Sequence, residues 1–320
     1  MPTAISELIV ALQDPTFENM VPGTRLGPMS VHVDSGYVRQ NAFASGNYSM
    51  LGAAGAVPEQ VPAAILLGDM LRLLNRVFDP NLEAGLHQRE RVRLLRPIAV
   101  GETVVIDASI TDRYVKRGRG YVVTEGEAVA VDTGDVLLEH TAIEVAELNT
   151  TFEQDTAPRL DLEWTKRRIE FAPTGATAPA TAISPQTPPG TALEGETRAF
   201  SQAQMSVYSN VGEFWETIHT SAAAAHRAGL PSTYAQGLML TEFACEYSAR
   251  FLGDDWHRGG ANETTFLRPF GADESIHLAG QVVGSETGPA AINLAFTNER
   301  DEMVAVGYSQ LAPSRGDTAR

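Results

Sequence analysis

The stretch that decides the fold is residues 237–252, which read GLMLTEFACEYSARFL. Only Glu242, Glu246 and Arg250 are charged, so apolar side chains occupy most faces of the helix that this stretch predicts. A helix that is apolar nearly all round has to be enclosed by other elements. Several β-branched runs follow it in the chain, and we expect a sheet to wrap around the helix.

A similar pattern occurs earlier in the chain, which indicates an internal repeat. Residues 61–71 (VPAAILLGDML) align with residues 230–240 (LPSTYAQGLML) at an offset of 169, with Pro, Gly, Met and Leu coinciding. Residues 95–102 (LRPIAVGE) align with residues 267–274 (LRPFGADE) at an offset of 172. Two matches in the same order predict a duplicated architecture.

Each copy is predicted to have the same order of elements. An extended segment comes first, at 30–43 or 198–208, and a central helix follows at 63–78 or 237–252. The predicted strands are 89–95, 103–113, 120–131 and 136–145 in the first copy, and 263–267, 275–283, 290–298 and 303–311 in the second.

A stretch rich in Pro, Thr and Ala separates the two copies. Proline fixes φ and lacks an N–H donor, which excludes a long helix or a central strand there. The sequence therefore predicts an N-terminal domain at 1–150, a linker at 151–196 and a C-terminal domain at 197–320. Within the linker, 161–171 has fewer prolines and is expected to pack on a domain.

The composition excludes several classes of protein. The 320 residues include 24 Lys and Arg against 40 Asp and Glu, a net charge of -16 that argues against a nucleic-acid partner. The single cysteine, Cys245, excludes an internal disulfide and a zinc finger. Because no run of about 18 apolar residues occurs, we expect a soluble, cytoplasmic protein without a membrane partner.

The second copy carries an ordered set of short motifs. They are residues 218–220 (IHT), 223–231 (AAAHRAGLP), 234–237 (YAQG) and 266–270 (FLRPF). In this order they resemble the MaoC-like double-hotdog proteins, which include (R)-specific enoyl-CoA hydratases and related dehydratases. The resemblance implies an α+β double hotdog, in which two antiparallel sheets each wrap around a long central helix and the copies form a pseudo-dimer.

The resemblance also implies a reaction. A hydro-lyase of this kind adds water to a 2-enoyl thioester or removes it from a 3-hydroxyacyl thioester. His219 would transfer protons, since it precedes a short helix that Thr220 or Ser221 can cap and since imidazole titrates near neutral pH. The Gly237 N–H would bind the thioester oxygen.

The substrate is expected to be an acyl-CoA or an acyl carrier protein thioester, with no metal and no separate cofactor. Tyr234, Gln236 and Trp215 are expected to contact it. Arg117 and Arg119 belong to the densest basic run and can bind coenzyme A phosphates, although an exposed charged turn is the alternative interpretation. A homodimer of two chains is compatible with this arrangement.

The chain departs from the family motif, which is Gly-Asp-x-Asn-Pro-x-His. Phe214 occupies the position five residues before His219, where the catalytic Asp is expected. Hydration needs a carboxylate beside the imidazole. Glu213 and Glu216 are the two candidates, Glu213 being slightly favoured, and both can equally be solvated loop residues.

The first copy contains no equivalent motif. Asn47 stands where the acid should be, and His32, His87 and His140 show no acid–base spacing. One active site per chain is therefore predicted, with the first copy as a degenerate half that supplies the acyl pocket. A hotdog thioesterase and a non-catalytic acyl-binding or partner-binding double hotdog are the alternatives.

Overall fold

The structure is a computed structural model that describes residues 12–82, 85–173, 178–184, 186–209, 216–284 and 291–311. The first half contains β1 (Met29–His32), α1 (Ser35–Ser45), β2 (Gln60–Val61), α2 (Leu67–Arg72), β3 (Leu86–Leu94), β4 (Ile98–Ala99), β5 (Thr103–Lys116), β6 (Arg119–Ala130) and β7 (Val136–Val145). The second half contains β8 (Ala192–Ala199), α3 (Gln202–Tyr208), α4 (Ala222–Arg227), α5 (Gly237–Leu252), β9 (Gly260–Phe266), β10 (Ser275–Val283), β11 (Ala291–Thr297) and β12 (Met303–Leu311). Both halves run from a strand through helices to further strands, as the repeat predicted.

The long strands of both halves form one antiparallel sheet. Its ten strands lie in the order β1-β5-β6-β7-β3-β9-β12-β11-β10-β8. The halves meet where β3 pairs with β9, with Arg89 opposite Thr265 and Arg93 opposite Ala261. Strands β2 and β4 form a separate pair.

Helix α5 fills the core of the second half, and its predicted limits are confirmed at both ends. Leu238, Leu240, Phe243 and Tyr247 are fully buried. Burying each such side chain contributes about 1.5–3 kcal/mol. This enclosure follows from the apolar character of the whole helix surface.

The central helix of the first half was predicted as one helix over 63–78, and this was wrong. The structure has 3-10 turns at Ala63–Leu66 and Leu74–Arg76 on either side of the six-residue α2. The carbonyl oxygen of Ile65 accepts hydrogen bonds from Tyr37 Oη at 3.0 Å and Asn41 Nδ2 at 3.1 Å. Side chains that compete for a helix carbonyl in this way disturb the regular ladder.

The two predicted extended segments were also wrong, because each contains a helix. In the first, Asp34 caps α1 by accepting a hydrogen bond from Tyr37 N, and Gly46 ends it in the left-handed conformation at φ 68°. In the second, Ser201 and Gln204 form a capping box at the start of α3. These capping residues outweigh the local β propensity.

The described parts of the linker pack on the domains. Trp164 is buried against Val123 and Ile143, which confirms the packing expected for 161–171. Ala172 and the Gln281 side chain exchange two hydrogen bonds, of 3.1 and 2.8 Å. Strand β8 begins at Ala192, so the strands of the second half start within the last residues of the predicted linker. In the described part of the chain, every helix is too short or too polar to cross a bilayer.

Candidate active site

A cavity of about 340 Å³ lies where the first turn of α5 meets the beginning of β3 and the end of β9. Both halves line it. The first half contributes Leu71, His87, Tyr121 and Glu144, and the second contributes His219, Tyr234, Gln236, Gly237 and Phe266. The cavity is therefore a shared site at the junction of the two copies.

His219 is held in a turn just before α4. Its backbone N–H donates to Thr217 Oγ1 at 3.2 Å. Ser221 caps α4 by accepting a hydrogen bond from Ala224 N at 3.4 Å, which confirms the cap predicted at Thr220 or Ser221. The turn fixes the position of the half-buried imidazole at the cavity wall.

The hydrogen bond of His219 decides which ring nitrogen can accept a proton. Nδ1 lies 2.7 Å from the carbonyl oxygen of Tyr234. A carbonyl only accepts, so Nδ1 carries the hydrogen and Nε2 is the basic nitrogen of the neutral ring. Burial lowers the pKa of His219 to about 4. The hydrogen bond to Tyr234 opposes this shift, and the charge of His87 adds to it. His219 is therefore an uncharged base at neutral pH.

Gly237 is the first residue of α5 and lines the cavity. The N-cap residue, Gln236, makes no side-chain capping bond to the first turn of the helix. A Cβ at Gly237 would lie 3.0 Å from Cζ of Phe266. The glycine thus allows the ring to approach and leaves the positive end of the helix accessible to the cavity.

The predicted substrate-binding residues divide into three groups. Tyr234, Gln236 and Arg119 line the cavity, whereas Arg117 lies at the tip of the β5–β6 hairpin outside its lining. Trp215 falls outside the described residues. Among the described residues, the buried Oε1 of Gln236 has no hydrogen-bond partner, while its Nε2 donates to Ser209 Oγ at 2.9 Å.

The two glutamates predicted to replace the family Asp are not placed beside His219 by the described residues. Glu213 falls within 210–215, outside the described part. The side chain of Glu216 is 63% exposed and lies 3.5 Å from Arg227 Nη2, and Glu216 is not part of the cavity lining. Its role as a proton-transfer group stays a prediction that this placement does not favour.

A buried acid–imidazole cluster of the first half was missed by the sequence analysis. Glu90 is fully buried between two histidines, with Oε2 at 2.6 Å from His87 Nε2 and Oε1 on His140 Nε2. Glu144 Oε1 lies 3.5 Å from His87 Nδ1. His87 and Glu144 reach the cavity, so the first half does bring titratable groups to the site.

The members of this cluster hold different charges. Burial acts to raise the pKa of Glu90, but the imidazoles of His140 and His87 outweigh it and hold that pKa below its usual value. Burial raises the pKa of Glu144. The charge of His87 opposes this rise, and the charge of Glu90 adds to it. The cluster therefore combines an ionised carboxylate with a carboxyl group that retains its proton more readily.

One signal in the sequence points to this cluster. Glu90 alternates in phase with Val92 and Leu94, and all three are buried on β3. A charged residue in phase with apolar ones predicts a buried, paired charge. Its partners are His87, three residues earlier on the same strand, and His140 on β7, and the contact with β7 could not be assigned from spacing. No group of three or more His, Cys, Asp or Glu in the described chain has an arrangement suited to a metal ion.

Comparison with known proteins identifies the fold. A structure described as a MaoC-like dehydratase matches with a TM-score of 0.65 and 16% identity, over 93% of this chain and all (100%) of that one. A conserved hypothetical protein from Mycobacterium tuberculosis with a double hotdog fold matches with a TM-score of 0.59 and 14% identity, over 93% and 98% of the two chains. The chain has the double hotdog fold. This confirms the predicted fold class.

Another structural match has a different printed activity. The 12:0-ACP thioesterase from Umbellularia californica has a TM-score of 0.52 and 10% identity, over 90% of this chain and 94% of that one. No family model matches the sequence, and no curated protein matches it. The comparisons thus support the fold, and the activity has to be argued from the site.

Proposed function

We propose that the protein is a hydro-lyase acting on acyl thioesters, which adds water to a 2-enoyl thioester or removes it from a 3-hydroxyacyl thioester. One observation carries the proposal: a neutral imidazole with a basic Nε2 and the uncapped first turn of α5 line one cavity. Base and oxyanion donor are two of the elements that hydration of an activated double bond uses.

The two elements have separate tasks. His219 Nε2 takes a proton from water as the water oxygen attacks C3. The electrons of the C2=C3 bond move toward the thioester oxygen, where the N–H of Gly237 stabilises the enolate. C2 then takes up a proton from an acid in the cavity, the proton held by His219 restores that acid, and the reverse sequence is dehydration.

The rest of the cavity suits an acyl thioester of coenzyme A or of an acyl carrier protein. Leu71, Leu240 and Phe266 provide apolar walls for an acyl chain, and Leu71 comes from the first half. Arg119 and Arg268 are exposed and also belong to the lining, at positions suited to phosphate groups. The participation of Leu71 supports the idea that the first half completes the acyl pocket.

The test is an assay of purified protein with crotonyl-CoA and longer 2-enoyl-CoAs, following the loss of enoyl absorbance. We expect turnover, and we expect His219→Ala to lower kcat/KM by at least about 100-fold. His226→Ala is the matched control, because His226 lies on α4 and is not part of the cavity lining. Full activity of His219→Ala would refute the assignment.

A thioesterase is the second candidate, favoured by the structural match to the plant enzyme. In that reaction His219 would activate water against the thioester carbonyl, and a free thiol would be released. Measuring thiol release in parallel with enoyl absorbance separates the two activities. A non-catalytic acyl-binding protein would bind acyl-CoA without either product.

A further inference from the structure

We infer that Glu144, on the first half of the chain, is the acid that works opposite His219. The inference rests on the proposed hydro-lyase function and assigns the carboxyl group that the family motif lacks at Phe214. It replaces neither His219 nor Gly237.

The position of Glu144 brings it to the reacting groups. It lies on β7 opposite His87 of β3, and both line the cavity that also contains His219 and Gly237. The His87 ring meets Phe266 edge-on with centroids 5.6 Å apart, and Phe266 packs over Gly237. A continuous set of contacts therefore joins the cluster to the first turn of α5.

The Glu144 carboxyl group has one oxygen without a hydrogen-bond partner. Oε1 is buried and unpartnered among the described residues, and the side chain is 12% exposed. Its nearest cationic group is His87 Nδ1, at 3.5 Å, which is too long for a hydrogen bond. The residue lines the cavity and its side chain is partly exposed, and a carboxyl group there with an unpartnered oxygen suits proton transfer to a substrate or a water molecule.

The groups behind Glu144 hold His87 in place. Glu90 binds His87 Nε2 through one oxygen and His140 through the other, and it is fully buried. This arrangement fixes the His87 ring so that Nδ1 faces Glu144. Glu90 and His140 are positioning residues, because neither lines the cavity.

The protonation states fit an acid opposite a base. The pKa of Glu144 is raised by burial, and that of His219 is lowered to about 4 by the same cause. Two titratable groups whose environments shift their pKa values in these directions can act as proton donor and proton acceptor at one pH.

Hydration uses both groups in turn. His219 Nε2 takes one proton from water while the C3–O bond forms and the C2=C3 π bond breaks. Glu144 gives its proton to C2 of the enolate, which forms the C2–H bond. Transfer of the proton from His219 to Glu144 through water then restores both groups.

The deciding experiment compares Glu144→Gln with Glu139→Gln, a substitution on the same strand at a residue outside the cavity lining. With crotonyl-CoA as probe, we expect Glu144→Gln to lower kcat by about 100-fold or more and to change KM little. The decline of wild-type kcat at high pH, where Glu144 loses its proton, should be absent from the residual activity. Glu139→Gln should keep wild-type kinetics.

Two further variants separate the possible failures. Glu213→Gln and Glu216→Gln should retain activity. If either variant loses activity 100-fold while Glu144→Gln stays active, the inference about Glu144 is wrong and the proposed function still stands. A wild-type protein inactive on every enoyl thioester would instead refute the function. If Glu144→Gln does not fold, Glu144→Asp decides, since it keeps the carboxyl group and should show a lower kcat with a shifted high-pH decline. An unchanged kcat and pH profile in that variant would contradict the inference.

Discussion

Equivalent glycines lie at the start of α5 and in the first turn of α2, but their surroundings differ. Gly237 opens onto the cavity of about 340 Å³. Gly68, near the start of α2, lies beside a pocket of about 130 Å³, and a Cβ there would be 3.4 Å from the Tyr208 ring. The entrance of each central helix, meaning the space beside its glycine, therefore differs in size, and the one at Gly68 is narrowed by side chains of both halves, among them Asp69, Arg72 and Tyr208.

The narrow entrance beside Gly68 contains a polar network. Tyr37 Oη also contacts the Asp69 carboxyl group, and Arg72 Nη1 lies 2.6 Å from Asp69 Oδ1. Tyr208 Oη donates to Glu242 Oε1 at 3.0 Å. The difference shows that an apolar helix with an uncapped start becomes a site only where the surrounding side chains leave space.

Substituting each glycine by alanine gives the largest expected difference between the two entrances. Gly237→Ala should lower kcat/KM by about 100-fold, because a Cβ 3.0 Å from Phe266 displaces the ring at the oxyanion site. Gly68→Ala, with an ordinary contact at 3.4 Å, should leave kcat/KM within about twofold. Steady-state kinetics of both variants measure this, and equal losses would show that the entrances do not differ in function.

The acidity of His219 gives the next largest effect. Because burial lowers its pKa to about 4, the hydration rate should stay nearly constant from pH 7 down to 5.5. A histidine with a pKa near 6.5 would be mostly protonated at pH 5.5, and the hydration rate would then fall about tenfold. A pH profile of kcat/KM distinguishes the two, and a tenfold loss at pH 5.5 would contradict the assigned environment.

Substitution of Glu242, which belongs to the polar network near Gly68, tests that network through the free energy of unfolding. Burial raises its pKa to about 8, so the folded protein binds a proton more tightly than the unfolded chain does. Stability should therefore decline as pH rises from about 4.5 through 8. Glu242→Gln removes the ionisable group and should increase the free energy of unfolding at pH 8.5 by roughly 4 kcal/mol.

Urea denaturation of wild type and Glu242→Gln at pH 5 and pH 8.5 checks this prediction. The variant should gain stability relative to wild type only at the higher pH. Glu246→Gln, on the same helix with a half-buried side chain, serves as the comparison. Equal gains at both pH values would mean that Glu242 does not titrate in this range.

The arginines of the β5–β6 hairpin should give the smallest effect. Arg119→Ala should raise KM for acyl-CoA about threefold and leave KM for the corresponding pantetheine thioester unchanged, because only the CoA ester carries the nucleotide phosphates. Arg117→Ala, outside the cavity lining, should change neither value. Comparable KM increases in both variants would indicate a general charge effect.

Residues 237–252 and the strands could be predicted from sequence because their patterns are local. The α5 limits and strands such as Val136–Val145 match the prediction at both ends. The first central helix was not predicted correctly, because Tyr37 and Asn41 reach its Ile65 carbonyl from another element. The helices α1 and α3 were also missed, because the capping hydrogen bonds at Asp34 and Ser201 involve a few specific atoms. The spacing of apolar residues does not predict such bonds.

The candidate site was predictable only in its second half. His219, Tyr234 and Gly237 lie close together in sequence, and the structure places them around one cavity. The strand β3 begins at Leu86, three residues before its predicted start, and that extension contains His87. His87 and Glu144 become neighbours only through the pairing of β3 with β7, a long-range register that sequence spacing does not contain.

The junction of β3 and β9 has a further consequence for how the site is assembled. A slip of one residue along this junction would turn alternate side chains to the opposite face of the sheet and carry the first-half groups away from the second-half helix. Two separate subunits would have to reach the correct alignment at every encounter. Joining them in one polypeptide makes the encounter intramolecular, so the reacting groups stay aligned even when the protein is very dilute.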